Sequence, residues 1–216
     1  MHRLMIAGAL CALIAPSAMA LGPSFGFGVH ADFTSSKFPG PSVSGVNQQI
    51  GSAYGAGLGG GVHIDANLMV VSFRLSADYL HYGIDEDKFR DSFGAAVAAL
   101  GIPKDQVAVS GGGLGITALS INGKMPVLPL PIISPYLTGG IGLAWLSRDE
   151  MKTSINGTPY SNTFPASTQG GKTQVDIGLG VDLKLGIALF LEVKYAWIFT
   201  DVSTSTYVPV TVGVTF

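Results

Sequence analysis

A single cysteine stands in the 216 residues, at position 11, inside a segment that reads as removed on export. The mature chain therefore offers no disulfide, no thiolate metal site and no cysteine nucleophile. Charge is scarce too. Asp, Glu, Lys and Arg make up 12% of the chain, about half the share of an ordinary soluble domain. No lysine or arginine cluster accompanies the net charge of −2, so nucleic acid is not an expected partner. Beyond the N-terminus no apolar run approaches the roughly 20 residues that a spanning helix requires. Yet mean hydropathy is positive, and glycine fills 30 positions. Such a chain is either a soluble domain with a very apolar core or a transmembrane barrel, because lipid admits only helices and closed barrels.

The N-terminus has the three parts of an export signal. His2 and Arg3 form a basic start, Leu4 to Ala15 an apolar stretch too short to span, and Ala18-Met19-Ala20 a small-x-small cleavage site after Pro16 and Ser17. Residues 1–20 are thus expected to be cleaved, leaving one domain over 21–216. A lipid anchor at Cys11 is disfavoured by Leu10, which stands where such anchors need a small residue.

The mature chain alternates with period two. Val175, Ile177, Leu179, Val181, Leu183 and Leu185 oppose Gln174, Asp176, Gly178, Gly180, Asp182 and Lys184. Leu189 to Phe199, Met69 to Tyr79 and Val208 to Phe216 repeat the pattern. Ser24 to Phe33, Tyr54 to Ile64, Leu114 to Met125 and Ser134 to Leu146 show it more weakly. That makes eight strands long enough to cross a bilayer. A count of ten stays open if the second long loop hides a hairpin.

Composition of the two faces separates a soluble barrel from a membrane barrel. One face is large, continuous and apolar; the other is glycine, serine, threonine and a few charges of both signs. Gly55, Gly57, Gly59 and Gly61 on one face of the second strand would leave a soluble core almost empty. In a narrow polar lumen they make room for longer side chains. The apolar face is therefore read as lipid-facing. Connections alternate as outer-membrane barrels require, with long external loops near 34–53, 83–113 and 147–173 and short turns between them. Tyr54, Tyr79, Tyr82, Trp145, Tyr195, Trp197, Phe199 and Phe216 suit interfacial aromatic belts.

The chain resembles the small eight-stranded outer-membrane barrels, the outer membrane protein A and X kind. The likeness rests on Pro135-Tyr136-Leu137-Thr138-Gly139-Gly140-Ile141-Gly142, on Leu191-Glu192-Val193-Lys194-Tyr195 and on the ending Val210-Thr211-Val212-Gly213-Val214-Thr215-Phe216. The resemblance implies an eight-stranded antiparallel up-and-down transmembrane β-barrel in a Gram-negative outer membrane. It also implies that the terminal Phe216 acts as an assembly signal for the barrel assembly machinery. The protein A type continues into a peptidoglycan-binding domain; this sequence stops at the last expected strand, so none is expected.

The expected lumen holds Asp32, Arg74, Asp78, Lys124, Asp176, Asp182, Lys184, Glu192 and Lys194, with His30, His63 and Asn122. These could line an ion path. They could equally form a paired network filling the interior, since an eight-stranded barrel is just wide enough for side chains and buried charges must be paired. The near balance of acids and bases suits the second reading. No spacing assembles the three or four ligands of a metal site. An enzymatic grouping of Ser76, Asp78 and His81 fails because alternation sends His81 to the opposite face. No cofactor is expected.

Asp85 to Leu100 reads as an amphipathic helix, with an acidic first turn, apolar Phe89, Phe93, Val97 and Leu100, and a stop at Gly101 and Pro103. Asn156-Gly157 in the third loop reads as a turn. Three functional classes remain: a structural or surface-interaction protein acting through its external loops, a narrow pore for small solutes, or an outer-membrane enzyme. The expected partners are outer-membrane lipids, the assembly machinery and an unidentified extracellular ligand.

Overall fold

The computed structural model describes residues 24–37, 42–43, 46–49, 53–68, 71–91, 101, 103–128, 130, 132–159, 165–200 and 204–216. The expected export signal lies outside them. Along the first half of the chain run β1 (Ser24–Lys37), β2 (Ser42–Val43), β3 (Val46–Gln49), β4 (Tyr54–Leu68), β5 (Val71–Ile84), β6 (Val107–Gly111) and β7 (Leu114–Pro126). The second half supplies β8 (Ile133–Arg148), β9 (Met151–Ile155), β10 (Thr158–Pro159), β11 (Ser167–Lys184), β12 (Ala188–Phe199) and β13 (Thr204–Thr215).

Eight of these close a barrel in the order β1-β13-β12-β11-β8-β7-β5-β4, every neighbour antiparallel. Each barrel strand corresponds to one expected from alternation. Closure is by β1 and β13, in register from Gly28 opposite Thr215 to Lys37 opposite Thr206. At the turn end Phe27 and Phe216 exchange both backbone hydrogen bonds, at 3.2 and 2.8 Å. No open edge remains on the barrel, so its backbone groups are satisfied without water.

Alternation places side chains as the two-faced pattern requires. Ile177 and Leu179 on β11 are 60% and 62% exposed, whereas the adjoining Asp176, on the opposite face, is 3% exposed. Leu58, Val62 and Ile64 on β4 and Leu189, Leu191 and Val193 on β12 extend the same outward apolar wall. Among the described residues no helix is long and apolar enough to cross a membrane. The wall is built of strands.

The long loops carry strands beyond the expected helix and turn. β6, β9 and β10 form a separate three-stranded sheet joining the second and third loops. Ala53, Phe89, Val107, Val109 and Met151 bury together beneath it. β6 escaped the sequence reading because Val107 and Val109 give too short an alternation to register, and their partner strand lies over 40 residues on. The barrel count stays at eight. Of the expected helix, residues 86–91 are helical, while 92–100 lie outside the described residues. Asp85 caps it, accepting the Lys88 amide at 3.2 Å, and that bond, reinforced by the Lys88 ammonium, holds the carboxyl below the usual range. Asn156 and Gly157 take positive φ values of 51° and 74°, the turn that joins β9 to β10.

Two of the expected belt aromatics point inward. Tyr82 occupies an even-numbered position of β5, the phase of Arg74, Ser76 and Leu80, and is fully buried. Tyr54 is brought inside by a bulge between Tyr54 and Gly57, which shifts the phase of the strand end. Tyr79, Trp145, Tyr195, Phe199 and Phe216 face outward and are exposed, and Trp197 packs its ring 4.6 Å from that of Tyr195.

Candidate functional site

The barrel interior is divided into two layers. Toward the long loops it is apolar and aromatic: Tyr54, Leu80, Tyr82, Ile116, Ile198 and Tyr207 form one buried cluster across the lumen. Toward the short turns it is polar. This division is the main departure from the uniformly polar lumen expected from sequence. It arises because Leu114, Ile116, Ala196 and Ile198 continue the inward parity of Asn122, Lys124, Glu192 and Lys194 into the loop-side half.

In the polar layer the charges join hand to hand. Arg74 donates to both oxygens of Asp65 at 2.7 and 2.8 Å and lies 4.1 Å over the Phe190 ring. Lys124 donates to Asp182 at 3.1 Å and sits 4.1 Å over the Tyr136 ring. The Tyr136 hydroxyl donates to Glu192 at 2.9 Å, and Lys194 meets the other Glu192 oxygen at 3.1 Å and Asp176 at 4.0 Å. Asn122 donates to Asp176 at 2.6 Å, and Ser120 to Asn122 at 3.1 Å. Ser76 pairs with Ser120 and donates to Asp78, both at 2.9 Å.

A second group adjoins the first. His30 Nε2 lies 2.7 Å from Asp78 Oδ1 and 3.6 Å from Asp32 Oδ2. Thr211 donates to Asp32 at 2.5 Å. The Nδ1 atoms of His30 and His63 are 3.3 Å apart, so one ring carries the proton between them, and His63 Nε2 contacts Thr215 Oγ1 at 2.9 Å. Beside this group lies a cavity of about 40 Å³ bounded by His30, Asp32, Asp78, Gln174, Asp176 and the cations Arg74 and Lys194, with Leu80 and Tyr207 on its apolar side.

The glycines are the counterpart of these large side chains. Tyr136 lies in register against Gly180, Phe190 against Gly213 and Tyr82 against Gly57. A Cβ on Gly180 would come within 2.5 Å of the Tyr136 ring, and one on Gly213 within 2.4 Å of Phe190. Each large ring therefore lies across the glycine of the neighbouring strand.

Of the expected lumen charges, Asp32, Arg74, Asp78, Lys124, Asp176, Asp182, Glu192 and Lys194 gather in this interior. Lys184 does not. It ends β11, is exposed, and its backbone N–H donates to Ile132 at 2.8 Å. Parity alone placed it inside; strand length puts it beyond the interior. Asp65 was missed because the second strand is expected to end at Ile64, whereas β4 continues to Leu68. His81 is exposed on the wall, away from Asp78 and Ser76, as alternation requires. The convergence of His30, Asp32 and Asp78, which no spacing suggested, comes from two different strands.

Comparison with known proteins agrees with this architecture. The outer membrane protein beta-barrel domain matches residues 5–216. No curated protein sequence matches the chain. Among solved structures it is similar to Neisserial surface protein A, with 14% identity, 90% of this chain and 97% of that one covered, and a TM-score of 0.56. The N-terminal barrel domain of Pseudomonas aeruginosa OprF gives 13% identity, 88% and 97% coverage and a TM-score of 0.44. Ail, the attachment invasion locus protein of Yersinia pestis, gives 10%, 90% and 97%, and 0.41.

Proposed function

This chain belongs to the outer membrane protein β-barrel domain family, and on that premise we propose that it is a non-conducting barrel of a Gram-negative outer membrane that presents an ordered loop platform to surface ligands. The observation that carries the reading is the separate sheet of β6, β9 and β10 with its own buried core. Loops that serve only to connect do not need a core of their own; loops that must hold a fixed binding shape do. The filled interior supports the non-conducting half of the proposal. Tyr82, Ile116 and Ile198 are fully buried across the loop-side lumen, and an apolar constriction of this kind opposes a water path. No catalytic role is assigned, because His81 stands on the opposite face of β5 from Ser76 and Asp78.

Three further parts complete the reading. Residues 1–20 are cleaved after Ala20 on export. The apolar wall contacts outer-membrane lipids. Phe216, whose side chain faces out from the barrel wall at 48% exposure, serves as the terminal signal for the barrel assembly machinery. The test is conductance of the purified, heat-modifiable barrel in planar bilayers, together with binding of envelope and host-surface extracts by cells displaying it. The reading expects no stepwise conductance, and binding that is lost when the β9–β10 hairpin is excised. Steady single-channel steps would establish the narrow-pore alternative instead.

A further inference from the structure

We propose that His30, Asp32 and Asp78 form a binding site for one divalent transition metal ion inside the barrel. One imidazole nitrogen and two carboxylate oxygens lie within 4.8 Å of one another, on side chains that are 5%, 6% and 18% exposed. In a tetrahedral site with bonds near 2.0–2.1 Å, ligand atoms stand about 3.4 Å apart. The His30–Asp32 separation of 3.6 Å already matches, the 2.7 Å His30–Asp78 pair needs to open by a fraction of an ångström, and the Asp32 and Asp78 oxygens, within 4.8 Å of each other, are drawn together by the ion. The ion would take the place of the proton that His30 and Asp78 share.

Charge points the same way. In the polar layer Asp32, Asp65, Asp78, Asp176, Asp182 and Glu192 face only Arg74, Lys124 and Lys194 as permanent cations among the described residues. Each of the three cations is already committed: Arg74 to Asp65, Lys124 to Asp182, and Lys194 to Glu192 and, at 4.0 Å, to Asp176. That leaves Asp32 and Asp78 with His30 as their shared ion-pairing partner, in a place where unpaired charge is costly. A divalent cation supplies what the chain does not.

Two unpartnered oxygens supply the independent observation. Gln174 Oε1 and Asp176 Oδ2 are buried without a hydrogen-bond partner, on residues 4% and 3% exposed, and both residues line the cavity beside His30, Asp32 and Asp78. A cavity of about 40 Å³ has room for the water that would fill the remaining coordination positions and bond to those oxygens. An imidazole with two carboxylates selects Zn²⁺, Co²⁺ or Mn²⁺ over the oxygen-preferring Mg²⁺ and Ca²⁺. The apolar layer above closes the site to the loop side, so loading accompanies folding.

The experiment refolds the full chain from urea into detergent with Zn²⁺ or with chelator, isolates the heat-modifiable barrel and measures bound metal. Wild type is expected to retain about one Zn²⁺ per chain after gel filtration. His30→Gln and Asp78→Asn should each lose it, while His81→Ala, on the exposed wall, should keep it. A folded wild-type barrel holding less than a tenth of an equivalent of Zn²⁺, Co²⁺ and Mn²⁺ overturns the proposal. So does retention that follows His81 instead of His30. Should the lumen variants not fold, Co²⁺-loaded wild type decides: paramagnetic shifts centred on the His30 ring support the site, and shifts confined to His81 overturn it.

Discussion

Asp65 and Arg74 face each other across the β4–β5 ladder as a register pair, and the guanidinium grips both carboxylate oxygens from 2.7 and 2.8 Å. The pair is buried at 5% and 3% exposure, and Phe190 from β12 stacks beneath the guanidinium. One contact thus ties a strand hairpin to the far wall of the barrel. It stands at the turn end, where β4 and β5 are joined by the shortest connection.

Removing one partner should cost more than removing both. Arg74→Ala leaves Asp65 buried and unpaired, with an expected loss of about 3–5 kcal/mol. The double replacement Asp65→Leu/Arg74→Met, which leaves no stranded charge, should lose clearly less. Urea unfolding of vesicle-inserted protein measures both. A single-variant loss under about 1 kcal/mol would show that water reaches this pair.

Rings laid over glycines predict a positional rule. Gly180→Val and Gly213→Val force Tyr136 and Phe190 from their seats and should each destabilise the barrel by about 1–3 kcal/mol. Gly83→Ala meets nothing within 4 Å and should stay within about 0.5 kcal/mol of wild type. Equal effects at all three would mean that the Tyr136 and Phe190 rings move aside without cost and that the clash does not set the loss.

The loop platform should unfold separately from the wall. Val107→Asp or Met151→Asp places an unpaired charge in the small core under β6 and β9, residues now 0% and 2% exposed. Limited proteolysis is expected to cut the second and third loops several-fold faster, with the heat-induced gel shift of the barrel unchanged. Loss of the shift would tie loop order to barrel stability.

Phe216 gives a kinetic prediction. Its side chain faces outward, and its backbone closes the ring with Phe27. Phe216→Asp should leave unassisted refolding in detergent within about twofold of wild type. Insertion assisted by the assembly machinery in proteoliposomes should slow by tenfold or more. Equal slowing in both assays would assign the residue to closure alone.

Period-two alternation determined the strand count, the lipid-facing wall and the inward residues, because a pleated strand sends successive side chains to opposite faces whatever its neighbours are. Val175 to Leu183 could be sorted by parity alone, and parity put His81 on the wall and Asp78 in the lumen. Phase is local, and a bulge resets it, which is why Tyr54 was misplaced. Length is local too, yet where a strand leaves the barrel depends on its neighbours; Lys184 has the inward parity and still stands outside.

Contacts across the lumen were beyond the sequence. His30 meets Asp78 from 48 residues away and Lys124 meets Asp182 from 58, pairings set by the register of successive ladders around a closed ring. Register fixes which level of one strand faces which level of another, and no single segment carries that information. The tertiary structure therefore decided that the loop-side lumen is apolar, that two loops share a sheet, and that one histidine and two aspartates converge. Closure of the barrel brings together groups whose spacing along the chain gives no hint of it.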